Sequence, residues 1–476
     1  MTRFHGSLCL CLTLATAAET LPDAVATGKN RIQAVRAQLA AKADVNATQA
    51  DGSTALHWAA HHDDVETARL LIGVGANVKA VNRYGVTPLH LACTNGNAAL
   101  VELLLSKGAD ANSALPGGET ALMTASRTGK LEAVKALLAK GADSNAKESK
   151  RGQTAIMWAA AEGHTEVVEA LIAAKADFRA QLDSGFTPLF FAAREGHSAV
   201  VRALLQAGVD INATLVTKRP PNGTPSEAQT PPRQGESALL LAMENAHFDL
   251  ASELLDAGAN PNTVGPGWAP LHVVSWIRKP GVGDNDPAPY GSGKTTSLAI
   301  VQKLIAKGAD INIRMTKKVG VGLTAINTIG ATPYFLAART ADAELIRYLA
   351  KLGADPKIGN RENSTPLMAA AGLGTRSPGE DAGTEAEVVE ALQTLLELGA
   401  DINAVDDNGE TAMHAAAYKN APSAVEFLAS HGAKTEIWNK PNKEGWTPLR
   451  IAEGYRFGNY KPSPPTIAAF ERILRN

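Results

Sequence analysis

The chain repeats itself with a period close to thirty-three residues, and that period decides what it can fold into. Thr54, Thr87, Thr120, Thr154 and Thr187 follow one another at steps of 33, 33, 34 and 33. The same register resumes at Ser237, Ala269, Thr332, Thr365, Thr411 and Thr447. The clearest unit is residues 82–112, NRYGVTPLHLACTNGNAALVELLLSKGADAN. Thr87 is placed to cap a helix with its hydroxyl, and Pro88 suits the first helical position, where an N–H has no intrahelical partner. Leu89 and Ala92 begin an apolar face that Gly96 ends. A second helix from about Ala98 carries Val101, Leu104 and Leu105 at i, i+3 and i+4, and Gly108 can turn left-handed just past its end. One such unit exposes an apolar side that it cannot bury alone, so copies must stack.

The TPLH at Thr87–His90, the small Ala92 and the GADAN at Gly108–Asn112 resemble the ankyrin repeat. Variants of the motif recur as STALHWAA, ETALMTAS, QTAIMWAA, FTPLFFAA, ESALLLAM, WAPLHVVS, ATPYFLAA, STPLMAAA, ETAMHAAA and WTPLRIAE, so the resemblance covers residues 21–476. It implies an all-α solenoid of about eleven to twelve helix-turn-helix repeats with short β-hairpin connections. It also implies that a protein partner lies in a concave groove, against hairpin tips and inner-helix ends.

Length and charge agree with an array. An ordinary globular chain of 476 residues would split into roughly three domains, whereas a solenoid grows by addition, so a single body is expected over 19–476. With 46 basic and 48 acidic residues there is no global field of the kind that draws a protein to nucleic acid. Residues 1–18, MTRFHGSLCLCLTLATAA, place Arg3 before an apolar run and end in small residues, which reads as a secretory signal peptide. Cys9 and Cys11 lie in that leader, leaving Cys93 with no intramolecular disulfide partner and the role of a small buried apolar residue.

Both ends read as caps. Residues 19–50 lack the Thr-Pro start and keep a polar face through Arg31, Gln33, Arg36 and Gln38; residues 442–476 restart the motif and close with Ile467, Phe470, Ile473 and Leu474 on one helix stripe. Four insertions interrupt the array, near 213–233, 277–296, 313–329 and 375–384. The first is rich in proline and free of aromatic residues, the composition of an extended loop. The third alternates Val319, Val321 and Leu323 and could pair as a β-finger.

Three stretches imitate chemistry. GSGKTT at Gly291–Thr296 looks like the end of a phosphate-binding loop, yet Ala288 stands where the first glycine belongs and DNDPAPY replaces the buried strand. It reads as an insertion leading into a structural helix capped by Thr296 or Ser297. His57, His61 and His62 could place imidazoles on one helix face, but no further ligand set accompanies them, so no metal is expected. Trp58 and Trp158 occupy a packing position otherwise filled by Leu91, Thr124, Phe191 and Leu241. No nucleophile, base and orienter assemble from the remaining residues, and neither enzyme activity nor a cofactor is expected.

The expected function is an exported, periplasmic or secreted, non-enzymatic protein-binding scaffold, monomeric and without a membrane span. The ankyrin pattern places its contacts at His61, His62, Arg83, Tyr84, Thr94, Asn95, Arg127, Thr128, Lys150, Arg151, Glu162, Arg194, Glu195, Glu244, Asn245, Trp276, Arg339, Tyr418 and Lys419. Arg, Tyr and Trp are the types enriched at binding hot spots. The arginines from Arg83 to Arg194 outnumber the local acids, which points to an acidic partner surface. The alternatives are a cytosolic or host-directed adaptor that retains its leader, and a nucleotide-binding enzyme using the GSGKTT loop.

Overall fold

Wherever the motif occurs, a short inner helix is followed by an outer one that packs back against it, as in Pro88–Asn95 and Ala98–Ser106. The computed structural model describes residues 20–27, 31–217, 234–280, 289–318, 325–456, 458 and 460–475. The leader, the proline-rich part of the first insertion and the centre of the proposed β-finger lie outside these residues. The chain divides into two compact units, Met1–Phe178 and Arg179–Asn476.

The inner-helix starts form as their residues dictate. Thr87 Oγ1 accepts from the His90 N–H at 3.3 Å, and Thr332 and Thr365 do the same for Phe335 and Met368. The motif histidine then joins neighbouring repeats. In the first unit, Nδ1 of His57 accepts from the Thr54 N–H at 3.1 Å, which leaves the proton on Nε2 to donate to the Val86 carbonyl at 3.0 Å. In the second unit His272 reaches Ala331 O at 3.2 Å and His414 reaches Lys440 O at 3.0 Å. The neutral ring therefore links a helix start to the next hairpin using both nitrogens.

Each repeat buries its neighbour's apolar face. Leu89, Ala92, Leu100, Val101 and Leu104 are at most 1% exposed, and Ala125, Val134 and Leu137 continue the same layer in the next repeat. The asparagine that closes the motif makes a second link. Asn112 Oδ1 accepts from the Asp143 N–H at 2.7 Å while its Nδ2 donates to Gly141 O at 3.1 Å. Asn145 repeats this in the first unit, and Asn212 and Asn262 do so in the second. Each amide side chain thus satisfies one carbonyl and one N–H at an outer-helix end of the following repeat, groups that the helix itself leaves unpaired.

Hairpins stack by single backbone bonds rather than by continuous ladders. Arg83 N donates to Asp51 O, Ser149 N to Gly117 O, and in the second unit Lys443 N to Asn408 O. Among the described residues only isolated bridges form, such as Ala114 with Thr120. Gly85 is left-handed at φ 77°, and a Cβ there would sit 2.5 Å from Pro116 Cδ of the next hairpin, so this turn requires glycine.

Leu21, Ala24 and Val25 are at most 2% exposed, and Arg31 Nε donates to Val25 O at 2.9 Å. At the other end Trp438 and Phe470 are buried with ring centroids 5.7 Å apart. Arg456 is 1% exposed and donates to Tyr418 O at 2.6 Å, Ala417 O and Asn420 Oδ1.

The insertions between helices are anchored by charge. Arg278 pairs with Asp342 and Glu344, both at 2.6 Å, and Lys279 with Glu387 at 2.6 Å. The fourth insertion brings Asp381 to Arg339 at 3.0 Å, with both side chains 5% exposed, and presents Ala382 O to Lys419 Nζ at 2.6 Å. Removing one partner of such a buried pair strands the other charge, although the intact pair adds little net stability.

Two measurements check this account. Leu104→Ala should lower stability by about 2–5 kcal/mol in reversible urea melts, because an inter-repeat side chain is lost and a cavity remains; a negligible change would contradict the stacking register. Burial lowers His272 and His414 from the ordinary 6.5 to about 4, so between those pH values the unfolded chain binds protons that the folded chain refuses. Their contribution is full above the unfolded pKa and is lost as pH falls toward the folded one. Replacing both by Gln should flatten that part of the pH profile of the urea midpoint, and an unaltered slope would show that the rings are not neutral in the fold.

Candidate functional site

The hairpin tips of the first unit sort their charges by sign. Glu148 is 8% exposed because its carboxylate accepts from the N–H groups of Lys150 and Arg151, both at 2.7 Å, and of Gln153 at 3.0 Å. Asp51 accepts from Ser53 N and Oγ at 2.9 and 2.8 Å, bonds that hold its carboxyl below the usual range. The turns use their acids as internal acceptors and leave their cations outside. Lys150 and Arg151 are exposed, and among the described residues neither makes an ion pair. Arg83 is exposed, with its guanidinium on the Ala50 carbonyl of the preceding turn, and Tyr84 beside it is 63% exposed.

Inner-helix ends in this unit divide into contact and link positions. His61 ends the helix Ala55–His61 and is exposed, edge-on to Trp58 at 5.6 Å between centroids. Thr94 is exposed, Glu162 likewise, and Arg127 lies 5.0 Å above the Trp158 ring while pairing with Glu119 at 3.3 Å. The next position along is largely structural. His62 Nε2 meets Ala26 O at 3.0 Å, Asn95 Nδ2 donates to Ala60 O and His61 O at 3.0 and 2.9 Å, and Thr128 Oγ1 lies 3.4 Å from Cys93 O. Of these expected partner contacts, His62 and Asn95 direct the named atoms to the preceding repeat, whereas Thr128 Oγ1 is closest to its own helix, 3.0 Å from Thr124 O. Trp58 and Trp158 are half-buried rather than core, with Trp58 Nε1 held by Gln49 at 2.7 Å.

In the second unit, Arg194 pairs with Glu195 at 2.7 Å and lies 5.4 Å from the centroids of both Phe186 and Phe191. Its charge is thus partly neutralised locally, as is that of Arg127. Glu244 fixes Trp268 Nε1 at 2.7 Å, and Trp268 meets Trp276 edge-on at 6.1 Å; Asn245 Nδ2 turns back to Leu241 O at 2.8 Å. Three expected contacts require correction. Arg339 is 6% exposed and turned to Asp381, because the fourth insertion folds over the position that an uninterrupted repeat would leave open. Lys419 is held by the same insertion, and burial lowers its pKa. Tyr418 is 4% exposed, with its hydroxyl on Glu410 at 2.8 Å, and lines a recess rather than an open face.

The chemical imitations resolve into structure. The amides of Lys294 and Thr295 do form an anion-binding turn, but the anion is the chain's own Asp249, which accepts from them at 2.9 and 2.8 Å. Thr296 Oγ1 caps the helix Ser297–Ala306 by accepting from Ala299 N at 3.2 Å, as the sequence indicates. Among the described residues there is no group of three or more His, Cys, Asp or Glu side chains able to hold a metal, and no helix is long and apolar enough to cross a membrane. Cys93 is buried and its thiol is pushed up to about 12 by burial, which leaves it unreactive at neutral pH. Sequence reasoning missed Asp249 and Asp381, since each acts across more than 40 residues on a side chain that it faces only in the fold.

Comparisons with known proteins agree with this architecture. A profile of ankyrin repeats in three copies matches residues 23–114 and 122–214, one of many copies matches 385–429, and a single ankyrin repeat matches 234–265. The chain is 31% identical over 219 residues to ankyrin repeat and SOCS box protein 16 of Homo sapiens, covering 46% of this chain and 40% of that protein. It is 34% identical over 141 residues to neurogenic locus notch homolog protein 1 of Mus musculus, covering 25% of this chain and 6% of that one. It is 29% identical over 188 residues to the inactive serine/threonine-protein kinase TEX14 of Bos taurus, covering 38% and 12%. The chain thus spans less than half the length of each of these relatives. Ankyrin repeats are a scaffold for protein–protein interaction, and the stacked helix pairs, the capping Thr, the bridging histidines and the matched segments together show that this chain belongs to the ankyrin repeat family.

Proposed function

We propose that the chain is a non-enzymatic scaffold that binds a protein partner through its hairpin tips and inner-helix ends, and that the partner presents an acidic surface to the first unit. The observation that carries this reading is the sorting of charge at the tips, with Glu148 and Asp51 turned inward to their own N–H groups and Arg83, Lys150 and Arg151 left outward. Solvated cations of this kind steer an acidic partner and raise its association rate. Arg127 and Arg194 are left out of this set, since each has a carboxylate beside it. Around them Tyr84, His61 and the Trp58 ring supply the aromatic contact area of a hot spot.

Export and a monomeric state belong to the same proposal. Export rests on the composition of residues 1–18, and intact-mass measurement of the mature protein separates the exported scaffold from an adaptor that keeps its leader. For the surface itself, Arg83→Glu with Arg151→Glu should slow association with a captured partner by about tenfold or more at low salt and leave the melt unchanged. The matched control reverses Lys107 and Lys140, both exposed at outer-helix ends. Equal loss from the two pairs would mean that only net charge matters and would remove the tip surface as the site.

A further inference from the structure

The second unit contains a recess of about 220 Å³ that a generic scaffold does not need. The third insertion helps to form it. The Ala325 N–H donates to Gly374 O at 2.7 Å just beyond the helix Pro366–Ala371, which brings Ile326 to the same cavity as Leu373. Both side chains are largely shielded, at 5% and 6% exposure, and give the recess an apolar wall.

The rest of the lining is acidic and polar. Glu362, Glu410 and Glu444 face one ammonium, Lys443, whose Nζ lies 3.3 Å from Asn408 Oδ1 rather than on a carboxylate. Neutral donors orient the two inner carboxylates. Tyr418 Oη and Asn442 Nδ2 donate to Glu410 Oε1 at 2.8 and 2.9 Å, while Asn327 Nδ2 and Asn408 Nδ2 donate to Glu362 at 3.0 and 3.3 Å. A carboxylate accepts about four hydrogen bonds, so each retains acceptor capacity. Burial raises the pKa of Glu410, and the charges of Asp406 and Glu362 add to the rise.

We propose that this recess takes one basic side chain, lysine or arginine, from the protein partner. The inference rests on the scaffold reading above and adds a specific contact to it. The size fits a single side chain and falls below the roughly 300–1,000 Å³ of sites for nucleotide- or drug-sized ligands. A lysine or arginine stem packs along Ile326 and Leu373 while its head group bonds to Glu362 and Glu410, the division of apolar stem and charged tip that these side chains favour. A metal ion is the poorer occupant, because among the described residues no three potential ligands converge. The oriented donors fix the carboxylates in advance, so little reorganisation accompanies entry of the cation.

The test uses the full chain and blocked single residues as probes: the N-acetyl methylamides of arginine and lysine, with those of citrulline and norleucine as neutral counterparts. Binding is followed by saturation-transfer NMR and calorimetry. The cationic probes should bind at least about tenfold more tightly than the neutral ones. Glu362→Gln with Glu410→Gln, which keeps the acceptors and removes the charge, should abolish that preference, whereas Glu397→Gln on an exposed outer-helix position should not. Ile326→Trp, which fills the recess from its apolar side, should also weaken the cationic probes, and thermal melts establish that each variant is folded. Equal binding of cationic and neutral probes, no binding, or an unaffected Gln pair would overturn the assignment. If a captured partner depends on the first-unit tips while the probes ignore the recess, the recess assignment falls alone. If the probes bind as described and the chain takes no protein partner, the cation site stands and the scaffold reading falls.

Discussion

Everything in this molecule depends on the burial of one repeat's apolar face by the next. A helix pair of this length has too little interior to be stable alone, and Leu104, Val134 and Leu171 are sealed only because a following or preceding copy covers them. The polar links follow the same logic. The side chains of Asn112 and its equivalents bond across repeat boundaries, and His57, His272 and His414 each tie a helix start of one repeat to the hairpin of the next. Stability is therefore local and additive along each unit, and residues that point away from these interfaces are released to vary.

That separation explains how much could be read in advance. The capping Thr, Pro at the first helical position, the small Ala92 and the left-handed glycines are local rules, so the repeat and its register were legible in the chain. Contacts set by insertions were not. Arg339, Tyr418 and Lys419 occupy positions that are open in an uninterrupted repeat, and only the folded path of residues 375–384 and 325–326 brings Asp381, Ala382 and the recess to them. Asn95 and Thr128 were misread for a subtler reason. Their positions are variable in type, yet the Asn95 amide reaches back to carbonyls of the preceding helix end and the Thr128 hydroxyl to a carbonyl of its own helix, geometry that spacing alone does not reveal. The GSGKTT turn shows the converse: its backbone does bind an anion, and the anion is supplied by Asp249.

Charge is distributed with a consistent economy of desolvation. Acids at the first unit's turns are satisfied by N–H groups of the same turn, so the cations beside them remain solvated and available for long-range attraction. In the second unit the arrangement is reversed, with Glu362 and Glu410 set among neutral donors and the nearby lysine turned to an amide oxygen.

The central claim, that partner recognition belongs to the hairpin tips and inner-helix ends, is tested most directly by hydrogen exchange on the full chain with and without its captured partner. Amides at 82–85 and 148–152 should exchange more slowly in the complex, while the outer helices Ala98–Ser106 and Leu131–Ala139 keep their free-state rates. Protection confined to those outer helices, with the tips unchanged, would contradict the account.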